Sequence, residues 1–243
     1  MSDTAAPVDP KSLVVRDAAT VIVIRQDRDA PAVLMGMRGA GAAFMPNKYV
    51  FPGGAVDAGD AAIPLAGGLS PACAARLDLP PGTGGLSNAL AAAAIRELWE
   101  ETGLRLGRPG TWPGTPPEDW ASFAETGLVP DASALRFLFR AITPPGRPRR
   151  FDARFFLTDA ARITGDPDDF SRASDELSHL HWVPLAEVRA LNLPFITEVV
   201  LGEVAAHLRE DRLDRDGVAF FDNSTDRPAF RRLGLGIRTG ARQ

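Results

Sequence analysis

Glu97, Glu100 and Glu101 fall within one and a half turns of any helix that contains them, directly after Arg96. Like charges at that spacing destabilise an isolated helix by a few tenths of a kcal/mol per pair, roughly. A divalent cation reverses the penalty, and hard oxygen donors of this kind suit Mg²⁺ or Mn²⁺, which also favour substrate phosphates. An acidic helix face is also ordinary solvated surface. Two neighbours favour a site: the Arg96 guanidinium can hold one carboxylate in a fixed orientation, and the upstream pair Gly53-Gly54 can offer a backbone carbonyl to the same metal.

These residues need a helix and a turn to bring them together. "SNALAAAAIRELWEETG" supplies the helix: Ser87 or Asn88 is the expected cap, Ala, Leu and Glu fill it, and Gly103 ends it. At one hundred degrees per residue, Ala91, Ile95, Leu98 and Thr102 share the face expected on a sheet, with the glutamates opposite. "YVFPGG" is expected to end in a tight turn, because Pro52 lacks a donor and the glycines allow positive φ.

Strands are expected at Asp17–Asp27 and Pro31–Arg38, then at "SALRFLFRAIT", "RFDARFFLT" and "ELSHLHWVPL". A shorter helix is expected in Pro116–Gly127, and "LPFITEVVLGEVAAHLRE" has helical spacing. Residues 61–88, rich in Gly, Pro and Ala, read as a surface excursion with a short helical possibility at "PACAARLDL". The chain divides into an N-terminal extension (1–16), a catalytic domain (17–210, with an insertion at about 61–87) and a polar, irregular tail (211–243).

Composition narrows the function. The 243 residues, 45% hydrophobic, suffice for one large domain, and a net charge of −4 without a dense basic run argues against polymeric nucleic acid as a partner. One cysteine, Cys73, permits neither an intrachain disulfide nor a cysteine metal site, which suits a reducing cytoplasm. No apolar run is long enough to span a bilayer and no leader pattern opens the chain, so a soluble protein without a membrane partner is expected.

"RELWEETGL", Arg96 to Leu104, matches the second half of the Nudix box at every specified position. "GAVDAGD", Gly54 to Asp60, resembles the first half, with Asp60 in place of the expected glutamate. Seven residues separate that acid from the arginine in the usual box; here residues 61 to 95 intervene. The interruption, with "AFMPNKYVFPGG" upstream, is similar to the Nudix branch that contains the peroxisomal coenzyme A diphosphatases. The chain ends "ARQ", not in a peroxisomal targeting tripeptide, which favours a bacterial-type cytoplasmic protein.

The resemblance implies an α/β (α+β) Nudix fold, a mixed sheet sandwiched between helices. It also implies metal-dependent hydrolysis of a nucleoside diphosphate linked to another moiety. Carried over by position, Glu97, Glu100 and Glu101 are metal ligands with the Gly54 carbonyl, and Arg96 orients Glu97. The general base is Glu97 or Glu100, with Glu176 as a candidate outside the box. The shorter Asp60 is expected to have an altered role and is left out of the metal set.

Arg38, Phe44 and Met45, flanking the glycine pair, are the candidate substrate contacts; packing under the turn is the alternative for Phe44 and Met45. The leading substrate is CoA or acyl-CoA, cleaved to 4′-phosphopantetheine and 3′,5′-ADP, with ADP-ribose, NADH or another dinucleotide next. A reading of another class is a catalytically silent nucleotide sensor. His179 and His181 alternate on a strand but lack a third ligand, Cys73 lacks a base partner, and Trp182 is expected in the core. The apolar face of the helix at 195–208 points to a homodimer.

Overall fold

Strand β1 (Val15–Arg25) is the axis of the fold. Its run Val21-Ile22-Val23-Ile24 alternates between two faces of the sheet, and every member is buried. A strand enclosed on both faces needs a layer on each side, and each such side chain contributes about 1.5–3 kcal/mol of burial. The computed structural model of the chain describes residues 14–26, 30–42, 45–79, 85–210, 216–225 and 227–235.

Around β1 the described strands are β2 (Ala32–Arg38), β3 (Tyr49–Val50), β4 (Gly53–Ala55), β7 (Arg136–Ile142), β8 (Arg150–Asp159), β9 (Leu177–Pro184), β10 (Val218–Asp222) and β11 (Ala229–Leu233). They form one mixed sheet in the order β11-β10-β7-β8-β1-β2-β3, with β4 on β1 and β9 on β2. The pairs β1–β8 and β10–β7 are parallel, and the others antiparallel. A separate ribbon joins β5 (Gly107–Pro109) to β6 (Leu128–Pro130). The helices are α1 (Pro71–Leu77), α2 (Leu86–Thr102), α3 (Glu118–Ala124) and α4 (Phe195–Arg209). This is the expected α+β arrangement, with α2 lying along β1 and β4 and α4 along β7.

Several expectations are corrected. Gly85, at φ +87°, is the cap of α2, whereas Ser87 and Asn88 lie inside its first turn. Gly103, at φ +75°, closes the helix as expected, its N–H donating to Trp99 O. The burial of α2 is not confined to one stripe: every residue from Ala89 to Arg96 is buried, and so is Glu101. Small alanines let neighbouring elements approach the helix all round, so Glu101 does not share a solvent face with Glu100. Gly53 and Gly54 lie in β4, not in a turn, and pair with Thr20 and Ala19.

The excursion is no surface loop. Ile63, Cys73 and Leu77 are buried in the main core, Ser70 Oγ caps α1 through Cys73 N–H, and Phe137 N–H donates to Cys73 Sγ. Its backbone is stitched on by Ala66 N–H to Pro130 O and Ala132 N–H to Gly67 O. Beyond residue 211 the expected irregular tail gives way to β10 and β11, because Val218, Ala219 and Phe220 fill the core beside β7. On α4, Val200, Leu201 and Val204 pack on the helix's own sheet, while Phe195 at its start is exposed.

Candidate active site

Arg96 occupies the middle of the site and is 5% exposed. Its Nε and Nη2 donate to the two oxygens of Asp60 at 3.2 and 3.1 Å, and Nη2 also donates to Ala55 O at 3.0 Å. Nη1 donates to Glu97 Oε1 at 2.9 Å and Glu100 Oε2 at 3.0 Å. The guanidinium therefore fixes two glutamates of its own helix and clasps the chain before the insertion. Burial works against its charge, but the Asp60 hydrogen bonds and the Glu97 carboxylate outweigh it and raise its pKa.

Asp60, one methylene shorter than the glutamate expected at its position, has a defined role in the structure. It is 2% exposed, and besides Arg96 it accepts the Asp57 N–H at 2.8 Å, which closes its own turn. The signal was present: it is an acid in the box position, and the bidentate arginine reaches it there.

Glu101 accepts the Gly53 N–H at 2.8 Å. Burial pushes its carboxyl up to about 8; the Gly53 bond opposes this, Glu97 adds to it, and Arg38 opposes it. Glu97 is pushed up to about 7, first by burial, with Arg96 offsetting and Glu100 adding. Glu100 is also raised, chiefly by burial.

Both glycines are needed for close approach. A Cβ on Gly54 would sit 2.4 Å from Glu97 Oε1, and one on Gly53 would sit 2.6 Å from Ala19 O and Thr20 Cα.

One guanidinium thus faces the carboxyls of Asp60, Glu97 and Glu100, with Glu101 beside them. Among the described residues no three His, Cys, Asp or Glu side chains converge as a ready-made metal cage; the glutamates are instead arrayed around Arg96 and Gly53. Their chemistry nevertheless fits a hard divalent cation: these oxygen donors are ones whose charged form burial disfavours, so a bound positive charge would offset the penalty, and the Gly54 backbone lies against Glu97.

The structure brings two further candidates to this centre. Arg38, at the end of β2, draws the Glu101 carboxyl down, and its buried Nε has no hydrogen-bond partner among the described residues. Glu176, exposed just before β9, pushes both Glu97 and Glu101 up. Met45 is half-buried at φ +52° between β2 and β3, and Phe44 lies outside the described residues.

His179 and His181 are exposed on β9, where a bulge leaves His179 at φ +52°, and His181 Nδ1 meets the His179 carbonyl. Cys73 is buried with its thiol pushed up to about 11 by burial, which suits packing and not nucleophilic attack. Trp182 is half-buried, with the Arg25 guanidinium stacked 4.2 Å from its ring centroid. A surface hollow lined by Arg108, Asp131, Arg162 and Thr164 contains no residue of the box. No helix among the described residues is long and apolar enough to cross a membrane.

Comparison with known proteins gives the same assignment. The NUDIX domain family model matches residues 15–201. The chain is similar to the acyl-coenzyme A diphosphatase NUDT19 of Gallus gallus, with 29% identity over 207 residues, covering 62% of this chain and 53% of that protein. It is also similar to a Caenorhabditis elegans protein that carries the name nudix hydrolase 7, with 29% identity over 69% of this chain and 51% of that protein. The chain thus spans about half the length of the curated relatives it matches. The crystal structure of a NUDIX hydrolase from Alicyclobacillus acidocaldarius superposes with a TM-score of 0.57 at 30% identity, covering 79% of this chain and 92% of that one. Divalent-metal dependence is general among such enzymes. With its box halves joined through Asp60 and Arg96 and its family model matched over most of its length, the chain belongs to the Nudix hydrolase family.

Proposed function

We propose that the chain hydrolyses the pyrophosphate bond of a nucleoside diphosphate linked to another moiety, with CoA or acyl-CoA as substrate and Mg²⁺ or Mn²⁺ as cofactor. The observation that carries the reading is the excess of buried and half-buried carboxyls around Arg96. Glu97, Glu100, Glu101 and the Gly54 carbonyl would hold the cation. When bound it supplies charge neutralisation at the pyrophosphate and a more acidic water.

The chain's own residues supply the rest. Arg96 keeps Glu97 and Glu100 from turning away, and the Gly53 N–H keeps one oxygen of Glu101 in place. Arg38, with an unused buried donor beside Glu101, takes a phosphoryl oxygen, and Met45, half-buried between β2 and β3, gives the substrate an apolar neighbour. As water attacks phosphorus, its proton passes to Glu97 or Glu100, with Glu176 the candidate outside the helix. The bridging P–O bond breaks, and from CoA it leaves 4′-phosphopantetheine and 3′,5′-ADP. The interrupted box and the similarity to an acyl-coenzyme A diphosphatase support the CoA assignment.

The test is a panel of CoA, acyl-CoA, NADH, ADP-ribose and dinucleoside polyphosphates with each metal, with products resolved by ³¹P NMR. CoA or acyl-CoA should have the highest kcat/KM. Preference for ADP-ribose or NADH would overturn the substrate, and turnover of none would overturn the enzymatic reading in favour of a nucleotide sensor.

A further inference from the structure

In an uninterrupted box a short covalent link fixes the distance between the acid and the arginine. Here Asp60 and Arg96 are 36 positions apart, so something other than chain continuity must set their register. Asp60 begins a single 3-10 turn, Asp60–Ala62, which leads through Ile63 into the insertion. The bidentate clasp from Arg96 fixes the Asp60 carboxylate, whereas the backbone of the turn is held elsewhere.

A second attachment is present. Asn88 Nδ2 donates to Ala61 O at 3.0 Å and to Ile63 O at 3.2 Å. Ala61 lies within the turn that carries Asp60 and Ile63 directly follows it, and Ile63 is itself anchored in the core. Asparagine caps a helix from the N-cap position through its side-chain oxygen, which accepts first-turn N–H groups. Here Gly85 is the cap and makes no side-chain bond, and Asn88, inside the first turn, sends its amide donors out of the helix. Asn88 precedes Arg96 by about two helical turns, roughly 12 Å along the axis, so the two residues grip the Asp60 turn from separated points on one rigid rod.

We propose that Asn88 is a positioning residue that rejoins the two halves of the interrupted box, holding Asp60 where it can orient Arg96 and, through it, Glu97 and Glu100. Only the kinetic part of its test rests on the hydrolytic reading. Alanine at 88 lacks the donor, and aspartate would set a carboxylate against two carbonyl oxygens.

The experiment compares Asn88→Ala, Asn88→Asp and Asp60→Asn, alone and as the Asn88→Ala/Asp60→Asn pair, in the full chain. The first readout is solvent exchange of the Arg96 Nε–H by ¹H–¹⁵N NMR, with the Gly53 N–H as internal reference; it needs no turnover. Asn88→Ala should accelerate Arg96 Nε–H exchange about tenfold, leave Gly53 N–H exchange unchanged, and lower kcat about tenfold at constant KM. Asn88→Asp should do more, and Asn88→Ala should add nothing to Asp60→Asn. Uniform acceleration of both protons with kcat intact would show a merely structural contact, and unchanged Arg96 exchange would overturn the proposal. If the wild type cleaves no panel member, the hydrolytic reading fails while the exchange comparison still decides the role of Asn88.

Discussion

Two arginine lattices lie on the same sheet and differ in balance. In one, Arg140 donates to both oxygens of Asp152 at 2.8 and 2.6 Å, and Arg154 bonds Asp17 and the Asp152 carbonyl, tying β1, β7 and β8 together. Two guanidinium groups meet two carboxylates there, and the face of Phe220 packs 4.7 Å from Arg140 Cζ. In the other, Arg96 alone faces Asp60, Glu97 and Glu100, with Glu101 adjacent. A buried lattice whose charges cancel joins strands. In the one with surplus acid, burial first and neighbouring carboxylates after it push Glu97 up to about 7 and Glu101 up to about 8, and a bound cation would offset both.

The largest expected effect separates structure from chemistry outright. The insertion belongs with the balanced lattice, since Arg140 Nη1 donates to Leu79 O. Replacing residues 61–85 by a short linker should therefore abolish folding, as Ile63, Cys73 and Leu77 leave the core at about 2 kcal/mol each. A folded deletion variant by circular dichroism, altered only in substrate preference, would restore the view of the insertion as a surface excursion.

Next, Glu101→Gln should lower kcat about a thousandfold without loss of thermal stability, because the amide oxygen still accepts the Gly53 N–H. Asp152→Ala should do the reverse, destabilising the fold by about 3–5 kcal/mol in urea titration with kcat per folded molecule nearly unchanged. Equal kinetic damage from both variants would erase the distinction between the lattices.

The smallest effect is a pH dependence. The Glu97 and Glu101 pKa values are raised on folding, so the folded state holds more protons than the unfolded state from about pH 4.5 to about pH 8. Their contribution to metal-free stability is present below that window and is lost as pH rises through it. In EDTA, Glu101→Gln should match the wild-type Tm near about pH 5 and exceed it by several degrees near about pH 8. Saturating Mg²⁺ should close that gap. A gap independent of pH would show that Glu101 carries no such penalty.

What the sequence disclosed followed the range of the forces involved. The β-branched and aromatic runs that form β1, β2, β7, β8 and β9 are local, as is the spacing of Glu97, Glu100 and Glu101, and both are legible in the sequence. The role of Asp60 was not, because its partner Arg96 is remote in the chain and a missing methylene reads as a loss until the guanidinium is seen to reach it. Gly53 and Gly54 were singled out for conformational freedom, yet it is the crowding of Ala19, Thr20 and Glu97 that excludes a side chain at either position. The helix face also misled: the run from Ala89 to Ala94 is so small that α2 is enclosed, and Glu101 is buried with it. β10 and β11 are hard to read because each is a short apolar stretch set in a segment rich in arginine, aspartate and asparagine, and it is the remote strand β7 that seats β10, with β11 pairing on β10.

Direct binding of Mn²⁺, followed by EPR of the free ion, tests whether the acid-rich lattice is a cation site independently of any substrate. The wild-type chain should remove Mn²⁺ from solution, Glu97→Gln and Glu101→Gln should bind far more weakly, and Asp152→Asn should bind like the wild type. Absence of binding by the wild type, or equal binding by Glu97→Gln and Glu101→Gln, would contradict the account.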